Sequence, residues 1–289
     1  QAQPAASIEA RADRLVQASL LMDGHVDLPS RLNDFYENPA DSTVGGDVDY
    51  PRARAGGLDA PFMSIYIPPY LQSNPAAATN RADALIDLVE KIATDHPTEF
   101  ALATSPNEVR QIATTEAVAL PLGMENGAGL GGELDNVEHF YDRGIRYITL
   151  THGAHNRLGD SSYDDAEQRW NGLSPFGEQV VAEMNRLGIM VDVSHVTDAT
   201  ALDAIEQSDA PVIASHSSCR HFTPGWERNV SDELIEGIAD TGGVVMITFG
   251  SSFLRNAYRD RDAPIRDAMN AHIDSMGWAE DSREAVVYE

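Results

Sequence analysis

The sequence predicts an α/β fold, a TIM-type (β/α)8 barrel whose eighth strand is not visible. Three observations lead there. Seven short apolar runs alternate with stretches of helical periodicity, the pattern of βα units on a parallel sheet. Several of those runs are closed by a histidine or a carboxylate, so polar residues gather at strand C-terminal ends, the face that carries the site in such barrels. The ends concerned belong to non-adjacent strands, which a doubly wound sheet, the architectural rival, brings together poorly.

Residues 1–19 read as an N-terminal segment and helix. Ser7 is its N-cap candidate, and Glu9 places a negative charge in the first turn, where the helix dipole favours it. Residues 20–250 hold barrel strands one to seven with their helices. The first strand candidate is Leu20 to His25, followed by an Asp-, Gly- and Pro-rich loop from Asp34 to Gly57. The second is Pro61 to Ile67, stopped by Pro68-Pro69. Leu85, Leu88, Val89 and Ile92 then recur at helical spacing, and Ser105-Pro106-Asn107-Glu108 opens a short helix with a capping box. The third strand is Ala117 to Met124, followed at once by Glu125-Asn126-Gly127. The fourth is Ile145 to Leu150, ending in Thr151-His152. The fifth is Ile189 to Ser194 and ends in His195; the sixth, Pro211 to Ser215, ends in His216; the seventh is Gly243 to Phe249. Residues 251–289 are charged, carry no long apolar run, and read as a polar tail or loop insertion before a missing closing segment.

With 46 acidic and 20 basic residues in 289, the formal charge is −26, which argues against nucleic acid or an anionic membrane as partner. No apolar run reaches the length of a transmembrane segment. Cys219 is the only cysteine, so no internal disulfide forms. Gln1 is followed by the small-residue stretch Ala2 to Ser7, which reads as a mature end left by removal of a signal peptide; the expectation is export to the periplasm or the cell exterior.

The chemistry lies at the strand ends. His25 and Asp27 stand two residues apart, and in an extended strand that spacing points both to one face. Together with Glu125, His195 and His216 they form an imidazole and carboxylate set suited to zinc or a similar divalent ion. Two such ions need a bridging carboxylate. The sole lysine, Lys91, falls inside a predicted helix, which leaves Glu125 as the bridge. His25, Asp27 and Glu125 are then assigned to one metal, and Glu125, His195 and His216 to the other. His96, His139 and His272 read as surface residues, while His155 and His221 lie on loops near the site.

The chain resembles the renal (membrane) dipeptidase family of zinc-dependent dipeptidases. The resemblance rests on Asp23-Gly24-His25-Val26-Asp27-Leu28-Pro29, Gly123-Met124-Glu125-Asn126-Gly127, Leu150-Thr151-His152, Met184-Asn185-Arg186-Leu187-Gly188, Val191-Asp192-Val193-Ser194-His195, Ser215-His216-Ser217-Ser218 and Arg228-Asn229-Val230. It implies a TIM-like barrel, two Zn2+ per chain on the ligands above, and hydrolysis of a dipeptide by a metal-bridging hydroxide. It implies that His152 contacts the substrate near the scissile carbonyl and that Arg228 binds the substrate's C-terminal carboxylate. One departure is visible. The family's Gly-rich motif with an aspartate on the last barrel strand has no counterpart in this sequence. A further C-terminal segment or chain that closes the barrel is therefore expected, and a homodimer is left open. The alternatives are a related barrel amidohydrolase acting on a lactam or acylamino acid, and a metal-binding protein without catalysis.

Overall fold

The structure is a computed structural model that describes residues 7–164 and 166–277. The stretch 1–6 and the last residues of the tail, 278–289, lie outside the described residues, as does Asp165. In chain order the elements are α1 (Ile8–Ala18), β1 (Leu21–Val26), α2 (Leu28–Asp34), α3 (Tyr50–Gly56), β2 (Leu58–Tyr66), α4 (Pro75–Asp95), β3 (Phe100–Leu102), α5 (Pro106–Ile112), β4 (Val118–Leu120), β5 (Leu122–Glu125), α6 (Asp135–Asp142), β6 (Ile145–Thr149), α7 (Pro175–Leu187), β7 (Met190–Asp192), α8 (Asp198–Gln207), β8 (Ile213–Ser217), α9 (Asp232–Asp240), β9 (Val244–Ile247), α10 (Ser251–Leu254) and α11 (Asn256–Met276).

Seven strands form one sheet in the order β1-β2-β5-β6-β7-β8-β9, and β3 and β4 form a separate parallel pair. The order of the large sheet follows the chain without reversing. A doubly wound sheet reverses direction at a switch point, whereas a barrel does not, so the fold is of the TIM type. β1 and β9 are the two ends of that order, and among the described residues no eighth strand joins this sheet.

The chain divides into two compact units. The first takes the chain up to Tyr66, with Arg81–Met124 and His139–Arg146. There β1 runs parallel to β2, whose Ala60, Phe62, Met63 and Ile65 are buried. α4 buries Ala82, Leu85, Ile86, Val89 and Ile92, an i, i+3, i+4 stripe that accounts for its helical form. Its opposite face is charged. Arg143 reaches Asp83 and Asp87 there, and Lys91 pairs with Asp95 one turn on. Lys91 is thus an exposed helix residue, as the sequence indicates.

The second unit takes Ile67–Asn80, Glu125–Glu138 and the chain from Tyr147 on. β6, β7, β8 and β9 pair in parallel there. α7 is capped by Ser174, carries Pro175 in its first turn, buries Val180, Val181 and Met184, and ends at Gly188 in the left-handed conformation. β9 leaves Val244 and Ile247 exposed.

Four stretches differ from the sequence reading. The third strand is split into β4 and β5 by Pro121, which has no N–H to give a ladder; its carbonyl accepts from Met63 N. The Asp34 to Gly57 loop contains α3, capped by Asp49 and closed by left-handed Gly57 around only seven residues, too short for periodicity to register. β3, three residues long, was not visible for the same reason. The tail read as polar or loop carries α10 and α11. Its apolar residues Tyr258, Ile265, Met269 and Ile273 are spaced by helical multiples but too thinly to form a run, and only Ile273 among them is buried.

Gly177 shows how tightly the loop before α7 is held. A Cβ at this position would lie 2.1 Å from the Leu158 carbonyl oxygen, a backbone atom that cannot swing away. Gly177→Ala is expected to destabilise the protein by about 1–3 kcal/mol, read as a lower urea midpoint at unchanged slope; an unchanged midpoint would show that this approach is not a constraint.

Candidate metal centre

β5 ends in Glu125, whose side chain is buried. Asn126 follows with a φ of 77°, a left-handed conformation that asparagine tolerates better than most residues. Its amide nitrogen donates to the Ile67 carbonyl and to Gln72 Oε1, and its Oδ1 accepts from Asn156 Nδ2. The turn after the strand is thereby fixed, and with it the direction of the Glu125 carboxylate.

Three imidazoles of the second unit face one oxygen of that carboxylate. The distances to Glu125 Oε1 are 3.1 Å from His195 Nε2, 3.3 Å from His216 Nε2 and 3.5 Å from His152 Nε2. Glu125, His152 and His195 each offer a ligand atom within 4.8 Å of the others. His195 Nε2 also stands 2.8 Å from His216 Nε2. The structure therefore brings His152 to the same carboxylate as the two predicted ligands, where the resemblance had given it only a substrate contact. His195 follows β7 with a φ of 69°, a strained value for a histidine, held by donors on its carbonyl from Ser162 N and Thr151 Oγ1.

Arg228 is buried and borders this cluster. It donates to Ser217 Oγ at 2.8 Å, to the His216 carbonyl at 2.6 Å and to His195 Nε2 at 3.1 Å. Its Nε–H is buried with no hydrogen-bond partner among the described residues. Burial lowers the guanidinium's pKa, so the charged form is held there at a cost. Since a guanidinium only donates, His195 Nε2 must accept. Burial, then the positive charge of Arg228, holds His195 well below the usual histidine range, so the ring is neutral. A neutral imidazole with its lone pair aimed at a carboxylate, beside further imidazoles, is the donor chemistry of a zinc-type site, and the residues present fit such an ion.

In the first unit, His25 and Asp27 stand at the end of β1, with His25 Nε2 3.4 Å from Asp27 Oδ1. They project to a common side, as their spacing predicts.

A long loop from His152 to Ser174 joins β6 to α7. Buried Asp160 accepts from the backbone N–H groups of Arg169, Trp170 and Asn171. His155 accepts from Ser161 N and bonds the Ala166 carbonyl, so it locks the loop rather than serving as a ligand. The loop lays Tyr163 against His195 with ring centroids 5.5 Å apart, and burial raises the phenol's pKa. Sequence reading passed over Asn126, Asn156, Asp160 and Tyr163. The only signals were Asn126 directly after a ligand and Tyr163 in a loop following one.

A parallel α/β barrel that gathers imidazoles on one carboxylate at its strand ends defines a class, the barrel proteins built around divalent metal. Comparison with known proteins narrows it. The sequence profile of the membrane dipeptidase family (peptidase family M19) matches residues 9–278, and the chain belongs to that family. It is 34% identical over 248 residues to an uncharacterized dipeptidase of Schizosaccharomyces pombe, covering 81% of this chain and 60% of that protein. It is 34% identical over 243 residues to dipeptidase 3 of Mus musculus, covering 81% and 48%. The chain thus spans about half the length of the curated relatives it matches. Among solved structures, a probable dipeptidase, PvdM, from Pseudomonas aeruginosa superposes with a TM-score of 0.80 at 26% identity, over 92% of this chain and 68% of that one. A metallopeptidase from Rhodobacter sphaeroides, liganded with a phosphinate mimic of the dipeptide L-Ala-D-Ala, gives 0.74 at 26% identity, over 82% and 75%.

The neutral state of His195 has a measurable consequence in metal-free protein. Its folded pKa is depressed, so below the unfolded value of about 6.5 the unfolded chain binds a proton that the folded chain refuses. Stability therefore falls as pH drops through that value, by up to about 1.4 kcal/mol per pH unit. His195→Asn, which tolerates the positive φ, is expected to flatten this slope in urea melts between about pH 7 and 5. Parallel slopes for both proteins would count against the assignment.

Proposed function

We propose that this chain is the metal-bearing body of an enzyme that hydrolyses dipeptides. The observation that carries the reading is Arg228, a buried guanidinium beside the imidazole cluster with an Nε–H that has no partner among the described residues. Among the described residues no carboxylate pairs directly with this cation, although Glu125 and Asp192 lie near enough to act on it; a substrate carboxylate would pair with it, and the planar fork suits one. A free carboxylate next to the scissile bond limits the leaving portion to a single residue, as cleavage of a dipeptide requires. Family membership supports the same reaction.

In this proposal His25, Asp27, Glu125, His195 and His216 would hold two zinc ions, with Glu125 serving both. When bound, the metal supplies a Lewis acid and a water of near-neutral pKa. The protein's own part is to bind and orient. Arg228 anchors the carboxylate, His152 polarises the scissile carbonyl by donating to its oxygen as charge develops, and Tyr163 with the loop around it limits water over His195. The same Arg228 would also accept a carboxylate-bearing lactam or an acylamino acid, each with a carboxylate beside an amide, so both belong in the substrate panel.

Two tests follow. Glu125→Gln is expected to weaken uptake of both zinc ions together, because a neutral amide bridges poorly; chelator competition with normal uptake of two ions would remove the bridge. Arg228→Lys is expected to raise KM for a dipeptide at least tenfold, about the worth of one charge-assisted hydrogen bond, and amidating the substrate's C-terminus should harm the wild type far more than the variant. Equal sensitivity to amidation would show that Arg228 does not read the carboxylate.

A further inference from the structure

Behind the imidazole cluster lies a carboxylate to which neither the sequence reading nor the proposed mechanism gives a role. Asp192, the last residue of β7, has no exposed surface. Its Oδ1 accepts from Ser194 N at 3.1 Å, Ser194 Oγ at 3.0 Å and Ser215 N at 2.8 Å. Its Oδ2 accepts from Thr149 Oγ1 and Ser215 Oγ, each at 2.6 Å. These are all neutral donors, and among the described residues no ion pair of Asp192 is present. Hydrogen bonds offset part of the cost of burying a charge, but an apolar side chain would avoid it altogether. The placement therefore calls for a function.

The direction of the hydrogen bonds supplies one. Ser215 Oγ lies 2.7 Å from His216 Nδ1 as well as 2.6 Å from Asp192 Oδ2. A hydroxyl has one proton, and an ionised carboxylate only accepts. The Ser215 proton therefore points to Asp192, and Ser215 Oγ must accept from His216. That puts the ring proton of His216 on Nδ1 and leaves the Nε2 lone pair directed at Glu125 Oε1, 3.3 Å away. Asp192 also steadies the backbone of this residue, because Ser194 Oγ, which it holds, accepts from His216 N at 3.1 Å.

We propose that Asp192 is a positioning residue that sets the tautomer of His216 through Ser215, so that Nε2 is delivered as a metal ligand. The proposal rests on the reading of this cluster as a metal centre. It has a consequence inside the cluster. His195 Nε2 is an acceptor because of Arg228, and His216 Nε2 is now a lone pair as well, so the two nitrogens at 2.8 Å have no proton to share. A cation resolves that repulsion.

The conservative variant Asp192→Asn is informative because it reverses the relay. The amide oxygen belongs at the Oδ1 position, where two backbone N–H groups require an acceptor. The NH2 then falls at the Oδ2 position and donates to Ser215 Oγ, whose proton turns to His216 Nδ1. The ring proton moves to Nε2, where it blocks a metal.

Ring-nitrogen NMR of 15N-histidine-labelled, metal-free protein reads the tautomer directly, and zinc competition with a chelator reads affinity. The wild type is expected to show His216 protonated on Nδ1. Asp192→Asn should move the proton to Nε2 and lower zinc affinity about 10- to 100-fold. Ser215→Ala, which removes the relay and keeps the carboxylate, should weaken zinc similarly while leaving no fixed tautomer. An Nε2–H tautomer in the wild type, or Ser215→Ala protein with wild-type zinc affinity, overturns the proposal. Wild-type protein that shows the Nδ1–H tautomer but takes up no zinc would instead sink the metal reading and leave the relay standing.

Discussion

The centre of the structure is the buried Glu125 carboxylate and the imidazole nitrogens set around it. Imidazoles from the ends of three different strand connections meet its Oε1 at 3.1–3.5 Å, and Arg228 stands behind one of them. Among the described residues of the second unit, no other atom is met by so many titratable groups. It dictates the local backbone: the left-handed turns at Asn126 and His195 are both strained, and both aim a side chain that an ordinary strand end would turn elsewhere. The strand order serves the same end, since a sheet that never reverses delivers consecutive strand C-termini to one rim.

Around that cluster the polar contacts fall into two kinds. Close to it they are ionisable groups: Glu125, the histidines and Arg228. One step back they are neutral, with hydroxyls, side-chain amides and backbone N–H groups satisfying Asp160 and Asp192. The outer layer determines which way the inner one points. Asn156 ties Asn126 to the Leu150 carbonyl, Asp160 gathers the backbone of Arg169 to Asn171, and Ser194 links Asp192 to the backbone of His216. Fixed dipoles of this kind are useful beside a reacting centre because they need no reorientation when charge shifts.

How much of this could be read from residues alone follows from the physics of each signal. The seven sheet strands were legible because each is a short apolar run between helical stretches, and several end in a histidine or a carboxylate. The Glu125, His195 and His216 convergence was legible because each terminates such a run. His152 was placed nearby for the same reason, although its approach to Glu125 was not foreseen. Arg228 carried no local signal and came only from a resemblance. Asp192 was hidden differently: it lies inside the Val191 to His195 run, where one acid in an apolar strand looks like a packing oddity until the hydroxyls of Thr149 and Ser215 are seen on it. α3 and α11 escaped notice because seven residues are too few for periodicity, and because apolar residues spread over 21 are too sparse.

The scarcity of lysine gives this chain an experimental handle. Its one lysine side chain, Lys91, projects from α4 with 65% of its surface accessible, paired with Asp95 on the same helix. A protease that cuts after lysine has a single possible target here, and it needs roughly a dozen residues of extended chain to act, so α4 must first unwind. Limited digestion with such an enzyme would therefore time the opening of one helix, the one whose Leu85, Ile86 and Val89 are fully buried. An amine-reactive dye would similarly reach one side chain, Lys91, besides the α-amino terminus, with no engineered cysteine and no competition from the partly buried Cys219.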